Sequence, residues 1–299
     1  MNIKRIIKRV FFLKSNQNFS TLEMVKTYNI KFGKYIYRKK YTTEDIIQKL
    51  KSYGIGTGSN IFVHSTWNAF YNYKGEPEDL IKGLINLIGP TGTIAMPAFP
   101  LSKLIKKKPF SVKRTVTGAG IIAETFRHTT GVLRSASVEH SVCALGPLAE
   151  YLTKDHCNSK CRFDELSPYY RITQCGFKIV ALGLTNYYGS TTSHCVQYVL
   201  RNEIPYYAQL YDESQYVKFP YIDIDGELKY NNVVKQVKTV KSDWLRTRHI
   251  IKKYFSKDYY HTGHVSNLTV CAYDANYLYN RFAELAKKGI YQYWVIDIK

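Results

Sequence analysis

The stretch Glu139-His140-Ser141 sets a carboxylate, an imidazole and a hydroxyl side by side. A serine next to a histidine suggests nucleophile–base chemistry. The apolar run that follows, Val142 to Leu145 before Gly146-Pro147, makes 140–146 read as a strand. Neighbours on a strand point to opposite faces, so His140 and Ser141 are poorly placed to share a hydrogen bond. No G-x-S-x-G elbow occurs in the chain, which also argues against a serine hydrolase. The plain alternative is a structural histidine.

Other polar clusters lie where apolar runs end. His64-Ser65-Thr66 follows Ile61-Phe62-Val63. Ligands collect at the carboxyl ends of strands in α/β sheets, so this group could hold a phosphate, or Ser65 and Thr66 could simply cap the next segment. A loop rich in Gly and hydroxyls, 183–193, leads from another apolar run into His194. An imidazole there could take a proton from an amine or hydroxyl. His261 and His264 are three apart, but no third metal ligand accompanies them. Cys157 and Cys161 form a CxxxC without a second pair. No metal site is expected, and 259–268 reads as a structural loop.

These groups need elements to hold them. Thr42 and Asp45 stand at capping-box spacing ahead of a helix reaching about 53. Residues 60–65 read as a buried strand. Pro77 with Glu76, Glu78 and Asp79 opens a helix whose buried face is Leu80, Leu84, Leu87 and Ile88. Strands are expected at 92–99, 140–146 and 176–183, with helices at 118–128 and 273–289. Strands alternating with helices argue for an α/β layered sheet. Beyond Pro205 the pattern alternates around Asp225-Gly226, so 206–240 reads as a β-hairpin excursion. Residues 1–40 read as a basic extension and 41–299 as one domain. Residues 3–13 could form a basic helix that touches anionic lipid, or be a frayed surface tail.

The chain has 43 Lys and Arg against 23 Asp and Glu, a net charge of +20. That favours anionic partners, although 27 tyrosines and a Lys-heavy basic set could reflect biased codon usage. Basic and aromatic residues are spread along the chain rather than clustered, so nucleic acid is not the expected partner. Six scattered cysteines, no secretory signal and no apolar run long enough to span a membrane make the cytoplasm the expected compartment.

In their order along the chain, "NIFVHSTW", "LIGPTGTIAMPAF", "GAGIIAETFRHTTGVLRSASVEHSVCALGPLAEYLTKDH", "SPYYRI" and "GFKIVALGLTNYYGSTTSH" closely resemble the antibiotic N-acetyltransferase family, whose best-known members are the aminoglycoside 3-N-acetyltransferases. The likeness covers roughly residues 43–290. It implies an α/β fold with a mixed central sheet flanked by helices, and acetyl-coenzyme A–dependent transfer to an amine without a metal. It implies coenzyme A–channel roles for His64, Ser65, Thr66, Ser141 and the backbone of Val142, and makes His194 the base. It would also make His140 catalytic and place Glu139 and Gln197 in substrate binding.

Two departures follow from the resemblance. Where the family commonly reads H-x-x-E, this chain has His194-Cys195-Val196-Gln197, and Gln197 supplies no charge. The nearest candidates for a downstream orienting carboxylate are Asp225 and Glu227. Fewer acids and a net charge of +20 argue against a polycationic acceptor. The expected partner is a small amino sugar, nucleotide-linked and made for surface polysaccharide, or else an aminoglycoside; a homodimer is an admissible assembly. The rival readings are an O-acetyltransferase and a non-catalytic coenzyme A– or anion-binding member.

Overall fold

The computed structural model describes residues 32–34, 36–106, 108–184 and 190–298. The 3–13 segment and the loop 185–189 lie outside the described residues.

The first helix, α1, is Thr43–Lys51, and Asp45 accepts the Thr42 N–H at 2.8 Å. Strand β1 (Asn60–Ser65) leads to α2 (Pro77–Ile88), opened by Pro77 and a Glu76–Asp79 capping box. Next come β2 (Thr93–Pro97), the short α3 (Ser102–Ile105), β3 (Phe110–Ser111) and α4 (Ile121–Arg127). Strands β4 (Leu133–Arg134) and β5 (Val142–Leu145) form a hairpin, followed by α5 (Ala149–Thr153) and α6 (Pro168–Gln174). Strand β6 (Phe177–Leu182) precedes α7 (Ser190–Val199) and α8 (Pro205–Ala208). A long hairpin, β7 (Tyr211–Ile222) and β8 (Leu228–Gln236), is followed by β9 (Lys238–Ser242) and α9 (Trp244–Tyr254). The chain ends with β10 (Tyr260–Val265), β11 (Leu268–Asp274), α10 (Ala275–Lys287) and β12 (Tyr293–Asp297).

The seven-stranded central sheet runs β10-β11-β6-β1-β2-β5-β4. β6, β1 and β2 are parallel, and every other neighbouring pair is antiparallel. The parallel strands are buried on both faces, which is why they read as continuous apolar runs. Pleating sorts their side chains into two layers. Ile61, Val63, Val180 and Leu182 face α1, α2 and α4; Phe62, Ile179 and Ala181 face α6, α7 and α10.

Two sequence expectations change here. The strand expected over 140–146 begins at Val142, leaving Glu139 and His140 on a turn. The stretch expected as a loop, 259–268, is mostly the β10–β11 hairpin at the sheet edge. Its histidines interrupted the apolar alternation, but β10 is only half covered and tolerates them.

Gly146 ends β5 with φ +117°, and a Cβ there would lie 2.3 Å from the Gly92 carbonyl oxygen just before β2. Gly146→Ala is therefore expected to lose about 2–3 kcal/mol of stability through backbone strain and the clash. Urea unfolding checks this; an unchanged midpoint would contradict it.

Candidate active site

The carboxyl ends of β1 and β6 meet. The Thr66 N–H donates to the Leu182 carbonyl at 3.1 Å. Gly183 continues β6 with φ +76°, and any Cβ there would sit 2.5 Å from the Ala69 Cβ. Only glycine lets the chain pass this close.

His64 shares the Phe62 face of β1, and the two rings meet edge to face at 5.0 Å. Aromatic contacts extend from Phe62 to Tyr169 at 5.5 Å, and from Tyr169 to Phe163 at 5.6 Å. Two further histidines join the same cluster. His140 lies 5.2 Å from Phe163 and 6.1 Å from Tyr169, and His194 stacks on Phe163 at 5.0 Å. Three histidines distant in sequence thus meet in one aromatic layer.

Burial sets their protonation. It pulls the His64 pKa down to about 3. It holds His140 well below the usual histidine value, with help from Arg162, His156 and His194. The His140 Nδ1 is buried without a hydrogen-bond partner among the described residues. His194 is also lowered, chiefly by burial; the Gln197 contact opposes this and Arg162 adds to it.

His194 Nδ1 lies 2.9 Å from Gln197 Oε1, one turn along α7. A carboxamide oxygen can only accept, so Nδ1 carries the proton and Nε2 keeps its lone pair. That is the tautomer a base requires. The imidazole also stacks on Tyr293, at 5.2 Å and 7° between ring planes.

The remaining sequence candidates separate. Glu139 is half-buried and ion-paired with Arg162 at 2.8 Å. Ser141 is fully buried; its hydroxyl donates to the Ala98 carbonyl at 2.7 Å. The Val142 N–H donates to Ser135 Oγ at 2.8 Å. These internal partners correct the expectation that the Ser141 hydroxyl and Val142 amide contact coenzyme A: Ser141 ties the start of β5 to the chain just after β2, and Val142 ties it to the chain just after β4. Ser65 and Thr66 are half-buried, and neither hydroxyl bonds another described residue. Asp225 and Glu227 sit at the exposed β7–β8 tip, where their N–H groups donate to Asp223 Oδ1 at 3.0 and 2.9 Å. Neither touches His194, which corrects their expected orienting role; the Asp-Gly turn that gave away the hairpin also keeps both acids in solvent. His261 stacks on Tyr53, His264 is exposed, and no metal-binding cluster occurs among the described residues.

Sequence reasoning missed Phe163, Tyr169, Arg162, Tyr293 and His156. His156 is 1% exposed and ties Nδ1 to Ser135 Oγ at 2.8 Å, beneath the His140 turn. Tyr169 and His156 lie in stretches that carry the resemblance, but no spacing marks any of the five as part of a site. Only the fold brings them together.

A family model described as aminoglycoside 3-N-acetyltransferase matches residues 62–287. An aminoglycoside N(3)-acetyltransferase III from Salmonella sp is 28% identical over 160 residues, 48% of this chain and 56% of that protein. An aminoglycoside N(3)-acetyltransferase IV from Salmonella sp is 25% identical over 187 residues, 60% and 69% of the two chains. The chain thus spans little more than half the length of the first of these relatives. Two solved structures share the fold. AAC-IIIb in binary complex with CoASH has a TM-score of 0.66 at 19% identity, covering 85% of this chain and 98% of that one. The aminoglycoside acetyltransferase AAC(3)-Xa has a TM-score of 0.67 at 16% identity, covering 88% and 98%. No helix among the described residues is long and apolar enough to cross a membrane.

Buried neutral histidines make stability depend on pH. The His156 pKa falls from 6.5 to about 3 on folding. The unfolded chain therefore takes up a proton below pH 6.5 that the folded one refuses, and stability drops as pH falls through that window. His156 alone accounts for about 2 kcal/mol lost between pH 7 and pH 5. Urea unfolding at the two pH values checks this, and His156→Gln should flatten the slope.

Proposed function

Because the chain belongs to the aminoglycoside 3-N-acetyltransferase family, we propose that it transfers the acetyl group of acetyl-CoA to an amine of an amino-sugar acceptor, with His194 as general base. One observation carries the reading. His194 is half-buried, held neutral by burial, and fixed through Gln197 in the tautomer that leaves Nε2 free to take a proton.

Acetyl-CoA would supply an activated thioester. His194 Nε2 accepts the amine proton as nitrogen bonds to the acyl carbon, and returns it to the departing thiolate. Phe62, Phe163, Tyr169 and His140 enclose an apolar layer suited to the acyl end. Ser65 and Thr66, at the carboxyl end of β1 with His64, offer hydroxyls to the donor chain. Ser141 and Val142 support the wall rather than touch the ligand.

The finer reading places the acceptor amine on an anionic, nucleotide-linked sugar for surface polysaccharide. Two facts support it: the net charge of +20, and a Glu139 already neutralised by Arg162. An aminoglycoside is the competing acceptor, because the relatives' names specify it.

Thiol release from acetyl-CoA, assayed with aminoglycosides and nucleotide-linked amino sugars, tests both levels. Turnover with an amine acceptor is expected, with kcat lowered about 10²- to 10⁴-fold by His194→Ala and KM for acetyl-CoA nearly unchanged. Exclusive use of aminoglycosides would overturn the finer reading. Transfer to hydroxyls only, or coenzyme A binding without any turnover, would overturn the amine transferase itself.

A further inference from the structure

We infer that Tyr293 is a positioning residue for His194: its ring, together with Phe163, holds the imidazole in one orientation and stabilises the cation formed on proton uptake. The inference rests on His194 being the base.

The Gln197 amide oxygen orients Nδ1 but brings no negative charge to an imidazolium. The neighbouring charged groups oppose that cation. Arg162, beside Phe163, raises its cost, and His140 across Phe163 would do so if protonated. No carboxylate hydrogen-bonds or ion-pairs with His194 among the described residues. A buried cation without a counter-charge is expensive. What faces the imidazole is aromatic. Phe163 lies 5.0 Å away at 28°, and Tyr293 lies 5.2 Å away at 7°. Both distances are within the reach of a cation–π contact. The Gln197 bond fixes the imidazole in its plane, and the two rings fix its tilt.

Tyr293 is itself firmly held. It opens β12, pairing across to Ser242 on β9. Tyr206 Oη donates to the Tyr293 carbonyl at 3.3 Å and accepts the Val295 N–H at 2.9 Å. Ser193, next to the base, donates to Tyr293 Oη at 3.3 Å. Burial pushes the Tyr293 phenol up to about 12, so it stays neutral. Only 6% exposed, it lies beyond residue 287, where the family match stops. A strand outside the shared segment thus supplies a contact to the base.

The test uses Tyr293→Leu, Tyr293→Phe, Gln197→Glu and the Leu/Glu double variant, each checked for folding by thermal melting. Tyr293→Met replaces the Leu variant if that one does not fold. Loss of the ring is expected to lower kcat about 2- to 30-fold, the range a cation–π contact supports, with KM for acetyl-CoA nearly unchanged. Tyr293→Phe retains most of the activity. Gln197→Glu in the Leu background restores it by supplying the charge. NMR titration of the His194 ring, which needs no acceptor, should move to lower pH in Tyr293→Leu. An unchanged titration, a Phe variant as impaired as Leu, or a double variant no better than Leu would each overturn the inference. Absence of turnover in the wild type with the titration shift intact would sink the transferase reading and leave the ring contact standing.

Discussion

The structure depends on β1 being buried on both faces between two parallel neighbours. A strand so placed must send alternate side chains into different layers. Ile61 and Val63 therefore join the layer of α1, α2 and α4, while Phe62 joins that of α6, α7 and α10. His64 follows Phe62 by one pleat repeat and is carried to the same side, at the carboxyl end where the parallel strands open. The register Ile61 to Ile94 and Ile61 to Lys178 fixes this. A slip of one residue would turn His64 into the other layer.

Everything else at the site is built against that face. Tyr169 on α6 covers Phe62, Phe163 packs on Tyr169, and the two remaining histidines pack on Phe163. The β4–β5 hairpin brings His140 in because its own polar groups are satisfied internally: Ser141 to Ala98, Val142 to Ser135, Ser135 to His156. Arg134 adds a bond to the Ala98 carbonyl at 2.5 Å and stacks over Phe110 at 4.7 Å. Residues that look catalytic in sequence thus divide into those that face the aromatic layer and those that hold the turn.

Local signals survived folding well. The capping box at Thr42, the Pro77 helix start with its flanking acids, the apolar runs of β1, β2 and β6, and the Asp225-Gly226 turn all describe short-range chemistry, and each marks its element in the structure. His194 stood out in the sequence because a glycine- and hydroxyl-rich stretch precedes it and because the resemblance reaches that far. The orienting partner was harder to read. Asp225 and Glu227 were attractive as carboxylates, but their position is set by the turn they belong to, and a tight hairpin tip faces solvent. Gln197, one helical turn from His194, needed no long-range closure. Phe163, Tyr169 and Tyr293 were invisible because an aromatic residue in sequence gives no sign of whose face it will cover.

A base set in an aromatic layer works differently from one set beside a carboxylate. A carboxylate stabilises the imidazolium more strongly than an amide and raises its pKa. An amide partner fixes the tautomer while burial keeps the ring neutral. The remaining difficulty is the transient cation, which the ring faces of Phe163 and Tyr293 can meet without raising the resting pKa as a full charge would. In the proposed reaction, an amide at position 197 also leaves the site one negative charge poorer than a carboxylate would, which weakens its attraction for a polycation.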